Sequence, residues 1–211
     1  MTPFINSKMI HYSITAIQSW ERFYRSNFIN CLSGFKSASL IGTLSANAIP
    51  NLALFSNIVH IGSDPALIGF INRPRKAAPH TLSNIETTGE YTINHIHHSF
   101  IKAAHQTSAR YAEGENEFDK VGLTMQWNQN CKAPFVAESA VKYALKLVEI
   151  VPIIHNETFL VIGAVQEVYV EEKIVHQDGY LHLEEAGSVC SLGIDGYYNT
   201  TLLQRFPYAK P

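Results

Sequence analysis

Two long apolar segments, residues 141–151 and 159–170, stand on either side of a turn at Asn156. The first alternates apolar side chains with Lys142 and Lys146, and a period of two is typical of a strand with one buried face. The second segment is apolar on both faces over most of its length. Two such segments joined by a polar turn predict a pair of long antiparallel strands.

Shorter apolar segments predict further strands at residues 39–44, 52–55, 66–71 and 91–96. Helical spacing predicts helices at residues 15–30, 81–88, 100–105 and 117–121. The polar segment SANAIPN predicts a hairpin turn between the first two of these strands. Gly89 suits the left-handed position just past the second helix. Many strands, few helices and no regular βαβ alternation predict a mainly β fold, an antiparallel barrel or sandwich with peripheral helices.

No long linker rich in Pro, Gly or Ser divides the chain, so one domain is expected over residues 1–211. Residues 1–33 are expected to form an N-terminal helical extension of that domain. Residues 196–211 are predicted to form a short helix and a C-terminal tail.

Charged residues make up 16% of the chain, against about 25% in typical soluble domains. The formal net charge is −2, whereas a nucleic-acid or membrane-surface partner normally requires a large basic excess. No partner of either kind is therefore expected. Low charge and many aromatic side chains favour a subunit interface instead.

Cys31, Cys131 and Cys190 are widely spaced and include no CxxC pair, so neither a disulfide framework nor a cysteine zinc site is expected. We interpret them as free thiols of a cytoplasmic protein. The first residues lack the cationic segment and long apolar run of a signal peptide. No apolar run approaches the about 18–20 residues of a membrane helix.

A basic loop leads into the second predicted helix: Arg73, Arg75, Lys76 and His80 fall within eight positions. Thr81 is predicted to be the N-cap of that helix. A helix N-terminus beside guanidinium groups is a ready site for a phosphate. The same residues also fit an ordinary solvated loop before a capped helix, and the loop by itself leaves both interpretations open.

The segment NLALFSN, residues 51–57, places Asn and Ser at the ends of a short strand. Such a strand can line a flat heterocycle with hydrogen bonds, although the residues alone favour an ordinary turn–strand–turn. No GxGxxG follows a strand and no P-loop is present, which argues against a Rossmann or Walker-type nucleotide site.

Other polar clusters in the sequence invite interpretation as metal or catalytic sites. His95, His97, His98 and His105 lack a further ligand at diagnostic spacing, so we interpret them as structural or solvent-facing rather than metal ligands. No GxSxG or local cysteine signature predicts a nucleophile.

The acidic residues Glu113, Glu115, Glu117 and Asp119 are interpreted as a solvated loop. Residues 103–109 are polar and small, and either border a pocket or form a structural loop.

Taken in order, several segments resemble the flavin reductase-like family, whose members bind FMN in a split β-barrel. The matching segments are SLIGT, NLALFSN, DPALIGFINRP, HTLSNIETTGEYTIN, EFDKVGL, KAPFVAES and the GYY near the C-terminus. The longest is similar to the family pattern Lys-Asp-Thr-x-x-Asn-Ile-x-x-Thr-Gly-Glu-Phe-x-x-Asn. The resemblance covers about residues 34–211 and implies an antiparallel split β-barrel of the Greek-key type with peripheral helices.

The resemblance also implies a homodimer with FMN near the subunit interface. Residues expected along the flavin ring and ribityl chain are Thr43, Leu44, Asn51, Ala53, Phe55, Ser56 and Asn57. Residues expected at the phosphate end are Arg73, Thr81 and Asn84 by resemblance, and Arg75, Lys76 and His80 by charge. The chain departs from the family pattern at Leu54 and Ala66, where Pro is usual, at His80, where Lys or Asp is usual, and in a longer 73–80 loop.

Flavin chemistry belongs to the cofactor, so no catalytic side chain is predicted. The expected reaction is hydride transfer from NADH or NADPH to the flavin N5, followed by passage of electrons to free flavin, a metal ion or a partner protein. Two alternatives stay open: an FMN-containing electron carrier reduced by another protein, and a split barrel that binds no flavin.

Overall fold

The structure is a computed structural model that describes residues 8–112 and 114–210. Residues 1–7 of the predicted N-terminal extension, Glu113 of the predicted acidic loop and Pro211 lie outside the described residues. The α-helices are α1 (Ile14–Ser19), α2 (Arg22–Leu32), α3 (Pro79–Thr88), α4 (Ile101–Gln106) and α5 (Glu117–Val121). Short 3-10 helices span His98–Phe100 and Glu172–Ile174. The strands are β1 (Lys36–Ser37), β2 (Ser39–Leu44), β3 (Pro50–Phe55), β4 (Ile58–Ser63), β5 (Ala66–Asn72), β6 (Glu90–His95), β7 (Met125–Asn128), β8 (Cys131–Val136), β9 (Val141–Ile153), β10 (Thr158–Val170), β11 (Val189–Leu192) and β12 (Gly196–Asn199).

A seven-stranded antiparallel sheet, in the order β3-β2-β6-β9-β10-β5-β4, forms the body of the fold. Its centre is the hairpin of β9 and β10, paired from Thr158 opposite Ile153 to Val170 opposite Val141. The long antiparallel pair predicted around Asn156 is thus confirmed. Its length lets β9 and β10 bridge the two halves of the sheet.

The sheet rolls around a closed apolar interior. Phe55 on β3 contacts Phe70 on β5 with ring centroids 4.9 Å apart, although four strands separate β3 from β5 in the sheet order. Helix α3 covers the open end and buries Leu82 and Ile85 completely. The buried members of this cluster are Ile41, Phe55, Phe70, Leu82, Ile85, Tyr91, Ile93, Tyr143, Leu145 and Val161. Burial stabilises the fold by roughly 25 cal/mol per Å² of apolar surface, so this interior contributes strongly to its stability.

The hairpin of β7 and β8 packs across the outer face of β2. A Cβ atom at Gly42 would lie 2.2 Å from the carbonyl oxygen of Pro134 and 2.6 Å from Thr92 Oγ1. Only glycine leaves room for this close approach of two backbones. The hairpin therefore packs against the face of β2 that points away from the rolled interior.

The N-terminal segment differs from the single helix predicted over residues 15–30. Trp20 adopts an extended backbone that ends α1, and the carboxylate of Glu21 accepts the N–H groups of Phe23 and Tyr24 at the start of α2. An apolar face still runs through the break, because Trp20 packs edge-on against Tyr24 and Phe28 at 5.1 and 5.0 Å. A capping carboxylate thus divides a stretch whose apolar spacing is continuous.

The C-terminal residues were predicted to start with a helix, and this is wrong. Gly196–Asn199 is strand β12, paired with β11 so that Ser191 lies opposite Tyr197. Consecutive tyrosines favour a strand, and β11 supplies the partner. The predicted strands also omitted β4, whose exposed residues and register shift beside Gly62 weaken the alternation.

Within residues 8–112 and 114–210, no helix has both the length and the apolar character needed to cross a membrane.

Candidate functional site

A cleft of about 780 Å³ opens between β3, the start of α3, residues 107–112 and the turn joining β11 to β12. Its volume falls within the range of about 300–1,000 Å³ that is usual for small-molecule sites. Eight of the thirteen residues expected to hold a cofactor line it: Asn51, Ala53, Phe55, Ser56, Asn57, Arg73, His80 and Thr81. The structure therefore brings most of the predicted set to one surface.

Thr43 and Asn84 lie behind this surface and support it. Thr43 Oγ1 accepts hydrogen bonds from Asn84 Nδ2 at 3.0 Å and from Asn51 Nδ2 at 3.2 Å. Asn51 Nδ2 also donates to Thr81 Oγ1 at 3.3 Å. All four residues are buried. This network, Thr43–Asn51–Thr81–Asn84, joins β2, β3 and α3 and fixes the polar groups at one end of the cleft.

Thr81 is not the N-cap of α3, contrary to the sequence prediction. The cap is Ala78, which offers no side-chain acceptor, and Pro79 occupies the first helical position. Proline is favoured there because its fixed φ suits the helix and its missing N–H is not needed. The first-turn N–H groups at His80 and Thr81 therefore have no capping side chain, and the helix N-terminus offers partial positive charge to an anion.

The basic residues of the 73–80 loop divide into two groups. Arg73 and His80 line the cleft. Arg75 pairs with Glu86 of α3 (Nη1–Oε2 2.8 Å) and lies over the ring of Phe159. The Glu86 carboxylate raises the pKa of Arg75, and this pair keeps the guanidinium outside the cleft. Lys76 and Leu44 do not line the cleft either.

Glu117 was interpreted as part of a solvated acidic loop, and this is wrong. Its side chain turns inward at the start of α5, is 6% exposed and lines the cleft. The carboxylate accepts the backbone N–H of Leu52 at 3.0 Å. Desolvation by burial raises the pKa of this carboxyl. The available signal was Asn116, whose side chain caps α5 and so starts the helix at Glu117.

The same hydrogen bond shows which way β3 faces. Since the N–H of Leu52 reaches Glu117, it points away from β2 toward the free edge of the sheet. Backbone groups alternate along a strand, so the N–H and C=O of Leu54 point to that edge as well. Leu54 lines the cleft. A strand edge of this kind offers backbone donors and acceptors to the rim of a flat heterocycle.

The far side of the cleft was largely missed by sequence reasoning. Residues 107–112 line it, which extends the pocket border considered for residues 103–109. Helix α2 adds Ser26 and Asn30, and the turn region of β11 and β12 completes the wall. The residues contributed by that turn region are Ser191, Gly193, Ile194, Asp195, Gly196 and Tyr197.

The histidines considered as metal ligands include two that make hydrogen bonds within the fold. His95 is partly buried beside Ser188, with Nδ1 3.3 Å from Oγ, and desolvation lowers its pKa to about 4. His97 accepts the N–H of Ser99 at 3.1 Å. Over the described part of the chain, no three His, Cys, Asp or Glu side chains are grouped closely enough to hold a metal ion.

The comparisons with known proteins agree with the architecture. The sequence profile of the family described as "Flavin reductase like domain" matches residues 35–187. A crystal structure from Shewanella frigidimarina NCIMB 400, assigned as a flavin reductase with split barrel domain, is 45% identical with a TM-score of 0.92, over 95% of this chain and 100% of that one. Nitrilotriacetate monooxygenase component B from Bacillus cereus is 17% identical with a TM-score of 0.82, over 95% and 100% of the two chains. Flavoredoxin of Desulfovibrio vulgaris is 22% identical with a TM-score of 0.73, over 83% and 92%. The rolled antiparallel sheet is a split barrel, as predicted.

Proposed function

The chain belongs to the family of flavin reductase-like domains, and from this premise we propose that it is an oxidoreductase that binds FMN in the cleft beside α3 and takes hydride from NADH or NADPH. One observation carries the proposal. A cationic end at the uncapped start of α3 and a strand edge with backbone donors and acceptors occur along one continuous cleft, and they match the two chemically different ends of FMN.

The phosphate end of the proposed site is the start of α3. Uncapped N–H groups, the Arg73 guanidinium and the His80 ring surround this point. The buried network Thr43–Asn51–Thr81–Asn84 holds the neighbouring polar groups in place without help from a ligand. These residues fit a phosphate, because guanidinium groups and helix N-termini are both strong phosphate ligands. Arg75 and Lys76 stay predicted contacts, and contact with FMN would require each to move toward the cleft.

The ring end of the proposed site is the free edge of β3. The backbone at Leu54 and the side chains of Ser56 and Asn57 provide donors and acceptors for the ring rim. Glu117 fixes this strand by its bond to Leu52. When bound, the flavin supplies the hydride-accepting N5 and the redox chemistry, while the protein supplies orientation and electrostatics.

The experiment is the visible spectrum of the purified protein during addition of FMN, and then of NADH or NADPH without oxygen. The proposal predicts a bound-flavin spectrum that bleaches on addition of one of the nicotinamides. Bound FMN that is reduced only by another redox protein would identify an electron carrier instead. If the absorbance and fluorescence of FMN do not change when the protein is present, both functions are excluded.

We further propose a homodimer in the cytoplasm. The large apolar side chains that stay exposed in this single chain support an interface, notably Phe23 at 66%, Leu203 at 96% and Phe206 at 76%. The three free thiols suit a reducing compartment. Light scattering coupled to gel filtration tests the dimer, and a mass near the 23.6 kDa of one chain would contradict it.

A further inference from the structure

We propose that Asn72, the last residue of β5, is a positioning residue for the cationic end of the cleft. Its buried amide holds the carbonyl groups of Arg73 and Ala78, at the two ends of the loop before α3, away from the place where an anion would lie. This inference rests on the proposed function, because the anion is the FMN phosphate. Asn72 itself does not line the cleft.

Asn72 is completely buried at the point where β5 ends. It lies opposite Phe159 of β10 in the sheet and has no exposed surface. Its side-chain Nδ2 donates to the carbonyl oxygen of Arg73 at 2.7 Å and, in a longer bond, to that of Ala78 at 3.5 Å. One amide thus joins the first residue after the strand to the residue that caps α3.

The other half of the same amide destabilises the fold. Within the described residues, Asn72 Oδ1 is buried and has no hydrogen-bond partner. An apolar side chain of similar size would avoid the free-energy penalty of this unpaired oxygen, and asparagine is mostly exposed in proteins. A buried asparagine with an unpaired oxygen therefore indicates a use for its donor, and both acceptors of that donor belong to the 73–80 loop.

The two carbonyl groups share a feature that makes their direction important. Arg73 precedes Pro74, and Ala78 precedes Pro79. Because proline has no N–H, neither peptide unit can donate a hydrogen bond to an anion, and its polar group is the carbonyl oxygen alone. A carbonyl oxygen that faced a phosphate would repel it. Since both oxygens point to a buried amide, they are directed into the protein rather than toward the cleft.

The remainder of this loop forms one wall of the cleft. The loop residues that line the cleft are Arg73, Ala77, Ala78, Pro79 and His80. The loop is closed by a turn, in which the N–H groups of Ala77 and Ala78 donate to the carbonyl of Pro74 at 2.8 and 3.1 Å. This turn and the Asn72 amide together fix the backbone of Arg73 relative to the uncapped start of α3.

A positioning role of this kind has a signature that a purely structural role lacks. A general loss of stability weakens the binding of every ligand of the folded protein alike. A displaced cationic end weakens only ligands that carry a phosphate. FMN and riboflavin differ by that group, so the ratio of their dissociation constants measures the effect.

The experiment is a fluorescence titration of the protein, dialysed free of flavin, with FMN and with riboflavin in the absence of nicotinamides. Asn72→Leu removes the amide donor and the unpaired oxygen but keeps a side chain of similar size. We expect its preference for FMN over riboflavin to fall roughly three- to tenfold, and its riboflavin dissociation constant to stay within about twofold. The loss should be smaller than that of Arg73→Ala, because the guanidinium itself remains.

Thr92→Val is the matched control. Thr92 is buried on β6, and its hydroxyl donates to the carbonyl of Pro134 at 2.7 Å, the same distance as the bond from Asn72 to Arg73. Thr92 does not line the cleft. The control should lower the melting temperature but leave the preference for FMN within about twofold of the unaltered protein.

Asn72→Ala also lacks the donor and gives the measurement if Asn72→Leu does not fold. An unchanged preference for FMN in the folded Asn72 variants overturns this inference and leaves the proposed function standing. Equal weakening of FMN and riboflavin, or the same loss of preference in Thr92→Val, shows a general structural role and overturns it as well. If the unaltered protein does not bind FMN, the proposed function fails and this inference fails with it.

Discussion

The buried polar groups at the two ends of the cleft differ in whether they have hydrogen-bond partners. Beside α3, Thr43, Asn51, Thr81 and Asn84 are hydrogen-bonded to one another. On the far wall, Ser191 is equally buried but has no partner within the described residues. The polar groups beside α3 are paired within the fold, whereas the far wall keeps a buried hydroxyl without a partner in the described residues.

The difference separates stability from recognition. Groups bonded to one another contribute to folding and hold the proposed phosphate end in a fixed shape, which would lower the entropy cost of binding there. A buried hydroxyl without a partner instead lowers the free energy of unfolding, by about 1–3 kcal/mol. Variants at the α3 end should therefore affect stability and anion affinity together.

The largest effect is expected for Arg73→Ala. This variant should weaken FMN binding by about 1.5–3 kcal/mol, roughly 10- to 150-fold, because a charge-assisted phosphate contact is lost. Binding of riboflavin, which has no phosphate, should hardly change. Fluorescence titration with both ligands measures this, and equal losses for the two would show that Arg73 does not hold the phosphate.

Thr43→Val tests the network that completes the same end. The change keeps the shape of the side chain but removes the acceptor shared by Asn51 and Asn84. The free energy of unfolding should fall by about 1–3 kcal/mol, as expected for a buried donor left unpaired. Urea denaturation gives the value, with the exposed Thr87→Val of α3 as the matched control. Equal stability of the two variants would mean that the network is not a folding element.

Glu117→Gln should reveal a pH dependence of stability. Burial raises the pKa of Glu117, so the folded protein holds this proton more tightly than the unfolded chain. The stability it contributes is complete below the ordinary pKa of 4.5 and is lost as pH rises through the raised value. Glutamine still accepts the Leu52 N–H but does not titrate. The melting temperature of the variant should therefore rise relative to the unaltered protein between pH 4.5 and 7.

Glu115→Gln is the matched control with the opposite sign. Glu115 pairs with Lys120 at 2.7 Å, which lowers the pKa of its carboxyl. Its contribution is present above its ordinary pKa and is lost as pH falls through the lowered value. Parallel pH curves for the two variants would refute the role of burial at Glu117.

The smallest effect is expected for Arg75→Ala. The Arg75–Glu86 pair is half exposed and lies outside the cleft, and surface pairs contribute about 0–1 kcal/mol. FMN affinity should change by less than about twofold. A loss comparable to that of Arg73→Ala would show that Arg75 leaves Glu86 to bind phosphate, as its charge first suggested.

The local sequence pattern predicted those helices and strands whose type and bounds are determined by neighbouring residues. The strand Ser39–Leu44 and helix Glu117–Val121 have the predicted bounds, and the β9–β10 hairpin follows from alternation on either side of one turn. The start of α3 differed because Pro79 begins the helix before Thr81. The inward side chain of Glu117 was missed because the acidic residues around it, Glu115 and Asp119, remain partly or fully exposed.

The wall of the cleft built by α2 and the β11–β12 hairpin could not be predicted from local sequence, because it depends on contacts between residues far apart in the chain. Residues 35–37 and 189–192 meet only through the pairing of β1 with β11, and nothing near Ser191 in the sequence signals that contact. Most of the residues expected to hold the cofactor come from a family resemblance that spans several segments, whereas Arg75, Lys76 and His80 come from charge. All of them stay predictions. The wall built by α2 and the β11–β12 hairpin lies outside the matched region.

The bond from Leu52 to Glu117 has a consequence for the behaviour of the protein in a crowded cell. β3 is the outermost strand of its sheet, and an uncovered outer strand invites another chain to add a strand and so to aggregate. The Glu117 carboxylate occupies one of the N–H groups that such a strand would need, and its charge repels an incoming backbone carbonyl. A buried acid at the margin of the candidate site thus makes the addition of a further strand at this edge less favourable.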